Sequence, residues 1–223
     1  MKLSFHHFFV FCPPGGAEAG ALLSSGFAEG SRNTHPGQGT ANRRFFFSNG
    51  MLEFVWVCDP SEIQSPVTRP TNLYERSRYV QTGFSPFGIG AYGQPDGPSD
   101  TPPFPGWPYH PAYLPPELAI WVADNSSSPE EPMLFYGSFF PPPSRNSGKE
   151  PTSHSNGVER ITSIRIQTVG KNRRRSMALE QFAKIGLLDF REGKEPLASI
   201  GFGGGRQNQE LDLRPSLPVV LKF

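Results

Sequence analysis

One predicted hairpin constrains the fold more than any other segment. Residues Thr40–Phe47 and Gly50–Cys58 are two runs rich in aromatic and aliphatic residues, separated only by Ser48 and Asn49. Asn-Gly between two such runs is the strongest short-range signal of a β-hairpin. Glu53 lies in the middle of the second run. An ionised carboxylate buried on an apolar strand is costly unless a metal, an arginine or N–H donors compensate it, so Glu53 is the first candidate functional residue.

The hairpin closes a longer N-terminal unit. Leu3–Cys12 is a Phe-rich run that predicts a strand, and apolar residues at helical spacing predict a helix over 16–27. A further short strand fits around Ser31–Gly37. Residues 1–58 are therefore predicted to form a first βαβββ-like module.

The C-terminal residues repeat this order. The alternation of Arg160–Val169 predicts a strand, and Ser176–Ile185 predicts a helix with Ser176 as its N-cap. Leu197–Phe202 and Leu217–Phe223 then predict two strands. We expect residues 158–223 to form a second βαβββ-like module, which implies an internal duplication and an α+β fold.

Residues 59–157 between these modules are predicted to be a Pro- and aromatic-rich insertion with a linker. Prolines exclude ordinary helices from much of this stretch. Its many aromatic residues argue for an ordered cover, with Tyr113 in the wall of a cavity and Trp107 in the core. Residues 143–157 are predicted to be a flexible linker or exposed loop.

Composition limits the partners and the compartment. The chain has 223 residues and a formal net charge of +1, so no global field favours nucleic acid or a membrane surface, and a small molecule or another protein is the expected partner. The basic cluster at 171–175 is interpreted as a solvated loop. Two cysteines, Cys12 and Cys58, are expected to be reduced thiols in a cytoplasmic protein. A short signal peptide ending near Ala19 is the alternative for the N-terminus.

Several segments together resemble a known superfamily. They are Leu3–Phe11, His35–Arg43, Met51–Glu53 and, near the end, Asp212–Pro218. These segments resemble the glyoxalase-like branch of the vicinal oxygen chelate (VOC) superfamily. The resemblance implies paired βαβββ modules that form a half-open barrel around a small-molecule site. It also implies that a first-strand histidine and a last-strand glutamate hold a divalent metal.

Carried onto this chain, the metal pair is His7 and Glu53, a donor set that suits Zn, Fe, Mn or Ni. The second module departs from the pattern, because Ser163 stands where a histidine is expected. Further ligands would come from other parts of the chain: Gln167, Glu210, Asp212, His35 or His110. The competing interpretation pairs Glu53 with an arginine, Arg43 or Arg165, and makes His7 a hydrogen-bonded core residue.

The remaining motifs limit the cofactors and reactions expected of the chain. Gly37-Gln38-Gly39 and the glycines at 201–205 lack the context of a nucleotide site, so no nucleotide cofactor is expected. The predicted substrate-binding residues are Asn42, Arg43, Arg76 and Tyr113. The leading hypothesis is a metal-assisted isomerase, lyase or dioxygenase in which Glu53 is catalytic. A non-catalytic small-molecule binding protein and a dimerising structural subunit are the alternatives, and a homodimer is compatible with each.

Overall fold

The computed structural model describes residues 2–93, 102–125, 127–143, 148–170, 174–203 and 208–223. Eight strands form a large sheet, listed here in chain order: β1 (Leu3–Phe11), β2 (Asn33–His35), β3 (Thr40–Phe47), β4 (Gly50–Val57), β5 (Phe87–Gly93), β6 (Gly106–Tyr109), β7 (Ile120–Ala123) and β8 (Met133–Tyr136). Five strands form a small sheet: β9 (Arg160–Val169), β10 (Leu188–Gly193), β11 (Leu197–Gly203), β12 (Glu210–Asp212) and β13 (Val219–Lys222). The protein is therefore of the α+β class, and the expected hairpin of β3 and β4 is confirmed.

The helices are short. They are α1 (Ala19–Ser24), α2 (Pro60–Ile63), α3 (Leu73–Ser77), α4 (Tyr79–Thr82) and α5 (Met177–Phe182), with a 3₁₀ turn at Arg69–Thr71. Ser176 caps α5 as predicted, because its hydroxyl accepts a hydrogen bond from the Leu179 backbone N–H. Within the described residues, every helix falls short of the length and apolarity that a membrane crossing requires.

The large sheet contains one pairing pattern twice. Its strand order is β2-β3-β4-β1-β5-β8-β7-β6. In the first half β4 runs parallel to β1, and β3 and β2 follow as antiparallel neighbours. In the second half β8 runs parallel to β5, and β7 and β6 follow in the same way. The two halves meet where β1 pairs antiparallel with β5.

This pattern corrects the expected position of the second module. In the small sheet, with the order β10-β9-β11-β13-β12, the first strand β9 pairs with two strands of its own unit, β10 and β11. Within residues 1–58, β1 pairs only with β4, so the pairing of this unit is not repeated at 158–223. The repeat lies instead at 87–136, inside the predicted insertion. This repeat was not predicted from the sequence because β5 carries glycines at alternate positions and β6 contains Pro108. Glycine and proline both weaken the sequence signal of a strand.

Residues 143–157 were predicted to be a flexible linker or exposed loop; residues 144–147 lie outside the described part of the chain, and residues 148–157 form a loop that is exposed in part but held by buried side chains. The His154 ring is buried, accepts a hydrogen bond from the Ala28 backbone N–H at Nδ1, and donates from Nε2 to the Phe46 carbonyl. Asn156 is also buried, and its amide donates to the Ser25 carbonyl. Polar residues made this segment look solvent-exposed, but their side chains satisfy backbone groups of the first half of the large sheet.

The two faces of the large sheet have different neighbours. On one face, residues such as Phe8, Leu52 and Ile89 join α1, α5 and the small sheet in the main hydrophobic core. On the other face, a second cluster includes Phe9, Val55 and Phe135. The second face holds the cavity described next.

Candidate functional site

A cavity of about 200 Å³ lies on the second face of the large sheet. Its walls are mostly apolar and aromatic, including Phe9, Met51, Leu114, Ile120, Phe135, Phe139 and Phe140. The polar side chains that line it are His6, His7, His35, Gln38, Glu53, Tyr109 and Tyr113. Both halves of the large sheet contribute to these walls, and no lysine or arginine is among the described lining residues.

A β-bulge places two histidines at this cavity. On β5 the pairing passes from Ala91, opposite Phe5, directly to Gly90, opposite His7, so His6 is an extra residue on β1. Such a bulge changes which side chains face each side of a sheet and recurs next to active sites. Phe5 accordingly packs in the main core, whereas His7 lines the cavity. In a regular strand, strict alternation would give both residues one common face.

Gly90 provides the space for the His7 ring. A Cβ atom built at Gly90 would lie 2.5 Å from His7 Cε1, 2.7 Å from His7 Nδ1 and 2.9 Å from Phe135 Cε2. Real Cβ atoms do not make such contacts, so only glycine fits under these rings without movement. The glycine at this position of β5 is therefore explained by the packing of the cavity rings and not by strand propensity.

Glu53 is buried at the cavity without a charged partner. Its side chain forms no ion pair with any described arginine or lysine, and only 8% of the residue is exposed. Burial raises the pKa of Glu53 from 4.5 to about 7, and two smaller effects oppose this: the charge of Arg44 and the amide of Asn42. The Asn42 contact falls short of full hydrogen-bond geometry, and Asn42 Nδ2 has no other partner within the described chain. Glu53 can therefore gain or lose a proton near neutral pH.

Arg44 is the nearest cation to Glu53 on this strand pair, but its guanidinium is held elsewhere. Arg44 lies opposite Glu53 in the β3–β4 register. Its Nε donates to the Ser31 carbonyl at 2.7 Å, and its Nη2 lies 3.9 Å from a Glu150 carboxylate oxygen. Arg44 therefore moderates the pKa of Glu53 from a distance and leaves the carboxyl without a salt bridge.

A hydrogen-bond network orders the opposite side of the cavity. The Gln38 side-chain oxygen accepts hydrogen bonds from Tyr109 and Tyr113, and its amide nitrogen donates to Thr40 Oγ1 at 2.7 Å. Thr40 Oγ1 also lies 2.9 Å from His35 Nδ1. When the Thr40 hydroxyl donates to His35 Nδ1, the His35 ring proton is on Nε2.

Of the six residues predicted from the sequence, the structure brings three together at the cavity, places a fourth beside them and separates two. His7, Glu53 and Tyr113 line one cavity, and Asn42 lies beside Glu53 behind the wall. Arg43 lies on the opposite face of the sheet, because it follows Asn42 on the strand. Arg76 donates to the backbone carbonyls of Ser85 and Glu131 and lines a separate small pocket that also contains Trp107.

The Arg43 side chain forms structural hydrogen bonds and does not line the cavity. Its Nε donates to a Glu29 carboxylate oxygen at 2.9 Å, Nη2 bonds the second oxygen, and Nη1 donates to the Gly16 carbonyl at 2.9 Å. These bonds connect β3 to the segments before and after α1. The predicted substrate-binding role of Arg43 is therefore corrected, and the predicted pair of Glu53 with this arginine is absent.

We expect Arg43→Met to lower the free energy of unfolding by about 1–3 kcal/mol, because it removes a partly buried bidentate pair and leaves the Gly16 carbonyl without its donor. Urea unfolding followed by circular dichroism measures this change. Arg69→Met, at an exposed arginine, is the control and should change stability by less than about 0.5 kcal/mol. An Arg43→Met protein as stable as the parent would contradict this structural role.

The donor set at the cavity does not complete a metal site. Within the ranges that the structure describes, no group of three or more His, Cys, Asp or Glu side chains is close enough together to hold an ion. His7 and Glu53 line the same cavity, but the second half of the sheet presents Gly90 and Phe135 near them, and neither offers a side-chain ligand. Two protein ligands are fewer than the three found in catalytic zinc sites.

Four polar residues of the cavity were not chosen from the sequence as site residues: His6, Gln38, Tyr109 and, except as an alternative ligand, His35. His6 was missed because a bulge has no clear sequence signal. Gln38 was missed because its segment, Gly37-Gln38-Gly39, lacks the context of a known binding motif. The alternating glycines of β5 were the one available signal, since glycine in a strand often marks a close approach of another group.

Comparison with known proteins shows the fold alone. No family model matches the chain, and a search of curated proteins gave no match. Among solved structures, the crystal structure of a hypothetical protein from Staphylococcus aureus is similar, with a TM-score of 0.56 over 100% of this chain and 99% of that chain. The two sequences are 10% identical.

Proposed function

We propose that this chain is a glyoxalase-like protein that binds a compact, uncharged and mostly apolar organic molecule in the cavity, and that Glu53 transfers a proton to or from it. The observation that carries the proposal is Glu53 itself, a buried carboxyl without an ion pair in an apolar cavity. A functional site retains such a group at a cost in stability, whereas a purely structural core does not need it.

The cavity walls support the ligand class. A cavity of about 150 Å³ is large enough to bind benzene, so about 200 Å³ suits a substituted single ring or an aliphatic molecule of similar size. Without lysine or arginine in the described lining, the cavity offers no counter-ion to a carboxylate or phosphate. With the Thr40 hydroxyl donating to Nδ1, His35 Nε2–H offers a hydrogen bond to a neutral carbonyl.

The repeated strand pattern supports the glyoxalase-like part of the proposal. The VOC resemblance implies paired modules around a shared cavity; in support, the 3–57 and 87–136 halves of the large sheet repeat one strand-pairing pattern, and both contribute residues to the cavity. The half-open barrel is part of this proposal. The reaction class that fits best is an isomerase or lyase reaction that begins with removal of a proton next to a carbonyl.

Proton exchange tests the proposal directly. Phenylacetone is incubated with the protein in D₂O at pH 7.5, and loss of its α-proton signals is followed by NMR. We expect exchange above the buffer rate, and a rate lower by about 10²-fold or more in Glu53→Gln, because removal of a general base has effects of that size. Glu117→Gln, at an exposed glutamate, is the matched control. Equal exchange by the parent and Glu53→Gln would contradict the catalytic role of Glu53.

The second candidate function is non-catalytic binding or sequestration of the same class of molecule. It is favoured by the mostly apolar lining of the cavity. Phenylacetone that binds, as shown by shifts of the Tyr113 ring signals, without exchange of its α-protons would support this candidate.

Metal binding at His7 and Glu53 stays a prediction from the resemblance. Elemental analysis of protein purified without a metal-affinity column tests it. A one-to-one metal content that is lost in His7→Ala would favour the metal-assisted reaction and require ligands beyond those assembled here.

A further inference from the structure

A second pocket, of about 230 Å³, lies next to the cavity that contains Glu53. Met133 lines both, so the two spaces are neighbours. The apolar walls of the second pocket include Phe84, Trp107 and Val122. Its polar lining residues are Thr71, Asn72, Arg76, Asp124 and Asn125. Arg76 is the one cation among the lining residues that the structure describes.

The Arg76 guanidinium is buried at this pocket with one of its edges unpaired. Only 3% of the residue is exposed. Its Nη1 donates to the Ser85 carbonyl at 3.0 Å and to the Glu131 carbonyl at 2.9 Å. Within the described chain, Nε has no hydrogen-bond partner, and Nη2 forms no hydrogen bond either. Unpaired donors of a buried charged group are costly, so this edge calls for a partner.

Arg43 shows what the same edge binds elsewhere in this chain. Its Nε and Nη2 hold the two carboxylate oxygens of Glu29, while its Nη1 donates to the Gly16 carbonyl. Arg76 also uses Nη1 for carbonyls, but no described Asp or Glu forms an ion pair with it. The Nε–Nη2 edge of a guanidinium matches the spacing of two carboxylate oxygens. Arg76 therefore presents to the pocket the edge with which Arg43 binds a carboxylate.

The acidic side chains near Arg76 do not pair with it. The Glu131 carboxylate accepts hydrogen bonds from the Ser176 backbone N–H and hydroxyl. Asp124 lines the pocket and has an interaction of its own. Burial lowers the pKa of Arg76 to about 10, against the opposing charges of Glu131 and Glu75, so the guanidinium is charged at pH 7. Its charge is therefore available to a ligand.

We propose that this pocket is a second ligand site, which binds a small carboxylate through Nε and Nη2 of Arg76. Asn72 lines the pocket at the start of α3, where its side chain forms no capping hydrogen bond, and its amide is a further donor for the ligand. The Phe84 ring lies 5.7 Å from the guanidinium Cζ and, with Trp107, offers an apolar surface to the rest of the ligand.

The size and the burial of the site fit a molecule such as benzoate. A cavity of about 150 Å³ is large enough to bind benzene, so about 230 Å³ accommodates a ring with a carboxylate. Nε is closed off from solvent, so uptake of the ligand includes a small displacement of side chains in the pocket wall. The site is independent of the proposed reaction, because its ligand is an anion and the described lining of the cavity at Glu53 has no lysine or arginine.

The test observes Arg76 in the parent protein. Sodium benzoate is titrated at pH 7 and constant ionic strength into protein with ¹⁵N-labelled arginine, and a nuclear Overhauser contact with the Phe84 ring assigns the Arg76 Nε–H signal. We expect a saturable downfield shift of that proton, and no shift with benzamide, the neutral counterpart of benzoate. No shift with benzoate, or an equal shift with benzamide or sodium chloride, would overturn the proposal.

Two variants test the site without removing the buried guanidinium. Asn72 has a φ of 55°, which glycine adopts without strain, so Asn72→Gly removes the amide and keeps the backbone. We expect it to weaken benzoate binding by about fivefold, the size of one hydrogen bond. Arg69→Met removes an exposed charge near the pocket and should leave the affinity unchanged. Parent-like affinity in Asn72→Gly with weakened binding in Arg69→Met would overturn the proposal, because an exposed charge would then account for the binding.

Discussion

Glu53→Gln is expected to stabilise the protein above neutral pH and to leave its stability nearly unchanged at pH 5. The folded-state pKa of Glu53 is raised from 4.5 to about 7, so the fold favours the protonated carboxyl. Its contribution to stability is complete below pH 4.5 and is lost as the pH rises through 7. The difference corresponds to at most about 3 kcal/mol at pH 8 to 9, where the parent must bury an ionised carboxylate that the glutamine variant lacks.

Urea unfolding of both proteins at several pH values measures this effect. The difference between them isolates Glu53, because the buried histidines contribute equally to both. Glu117→Gln is the control and should follow the parent at every pH. A glutamine variant that is equally stable at pH 5 and pH 8.5 relative to the parent would contradict the uncompensated burial of Glu53.

Gly90→Ala has the second large expected effect. The new methyl group would lie within 3 Å of both the His7 and Phe135 rings, and both belong to a packed wall. We expect the free energy of unfolding to fall by about 1–3 kcal/mol, as is usual for overpacking. We also expect loss of the hydrogen bond between the Nδ1 atoms of His6 and His7, which lie 2.7 Å apart. Thermal or urea unfolding gives the first result, and an NMR spectrum of ¹⁵N-labelled histidine gives the second.

Gly20→Ala is the matched control for this substitution. Gly20 lies in α1, and no atom would be within 4 Å of a new Cβ there. Alanine in a helix is favoured over glycine, so this variant should gain about 0.5–1 kcal/mol. A Gly90→Ala protein with parent-like stability and an intact His7 spectrum would show that the rings have more room than the structure gives them.

Local patterns predicted several elements closely. The hairpin follows from Asn-Gly between two apolar runs, and β3 has the predicted bounds, Thr40–Phe47. β9 also has its predicted bounds, Arg160–Val169, because its alternation is regular. The predicted helices are present but shorter, and each has little more than one or two turns. Helices of this length depend on tertiary packing for their stability, so their ends do not follow from local sequence.

The non-local features could not be predicted in the same way. Which strands pair across the large sheet depends on contacts between β1 and β5, which are far apart in sequence, and the glycines of β5 carry little strand propensity. The bulge at His6 changes the face of every preceding residue of β1, so regular alternation would place Phe5 on the cavity face with His7, although Phe5 packs in the main core. Glu53 was found because its position is unusual in itself, whereas His6 and Gln38 gain their roles only from the fold.

A direct titration of Glu53 tests the central claim most simply. The side-chain carboxyl carbons of ¹³C-labelled glutamate are followed by NMR from pH 4 to pH 9, and the signal missing from Glu53→Gln identifies Glu53. The claim that this carboxyl is buried at an apolar cavity without a charged partner predicts a midpoint near pH 7. A midpoint at or below 4.5, the value of an ordinary glutamate, would contradict the claim, because it would mean that water, a cation or a bound ion compensates the charge.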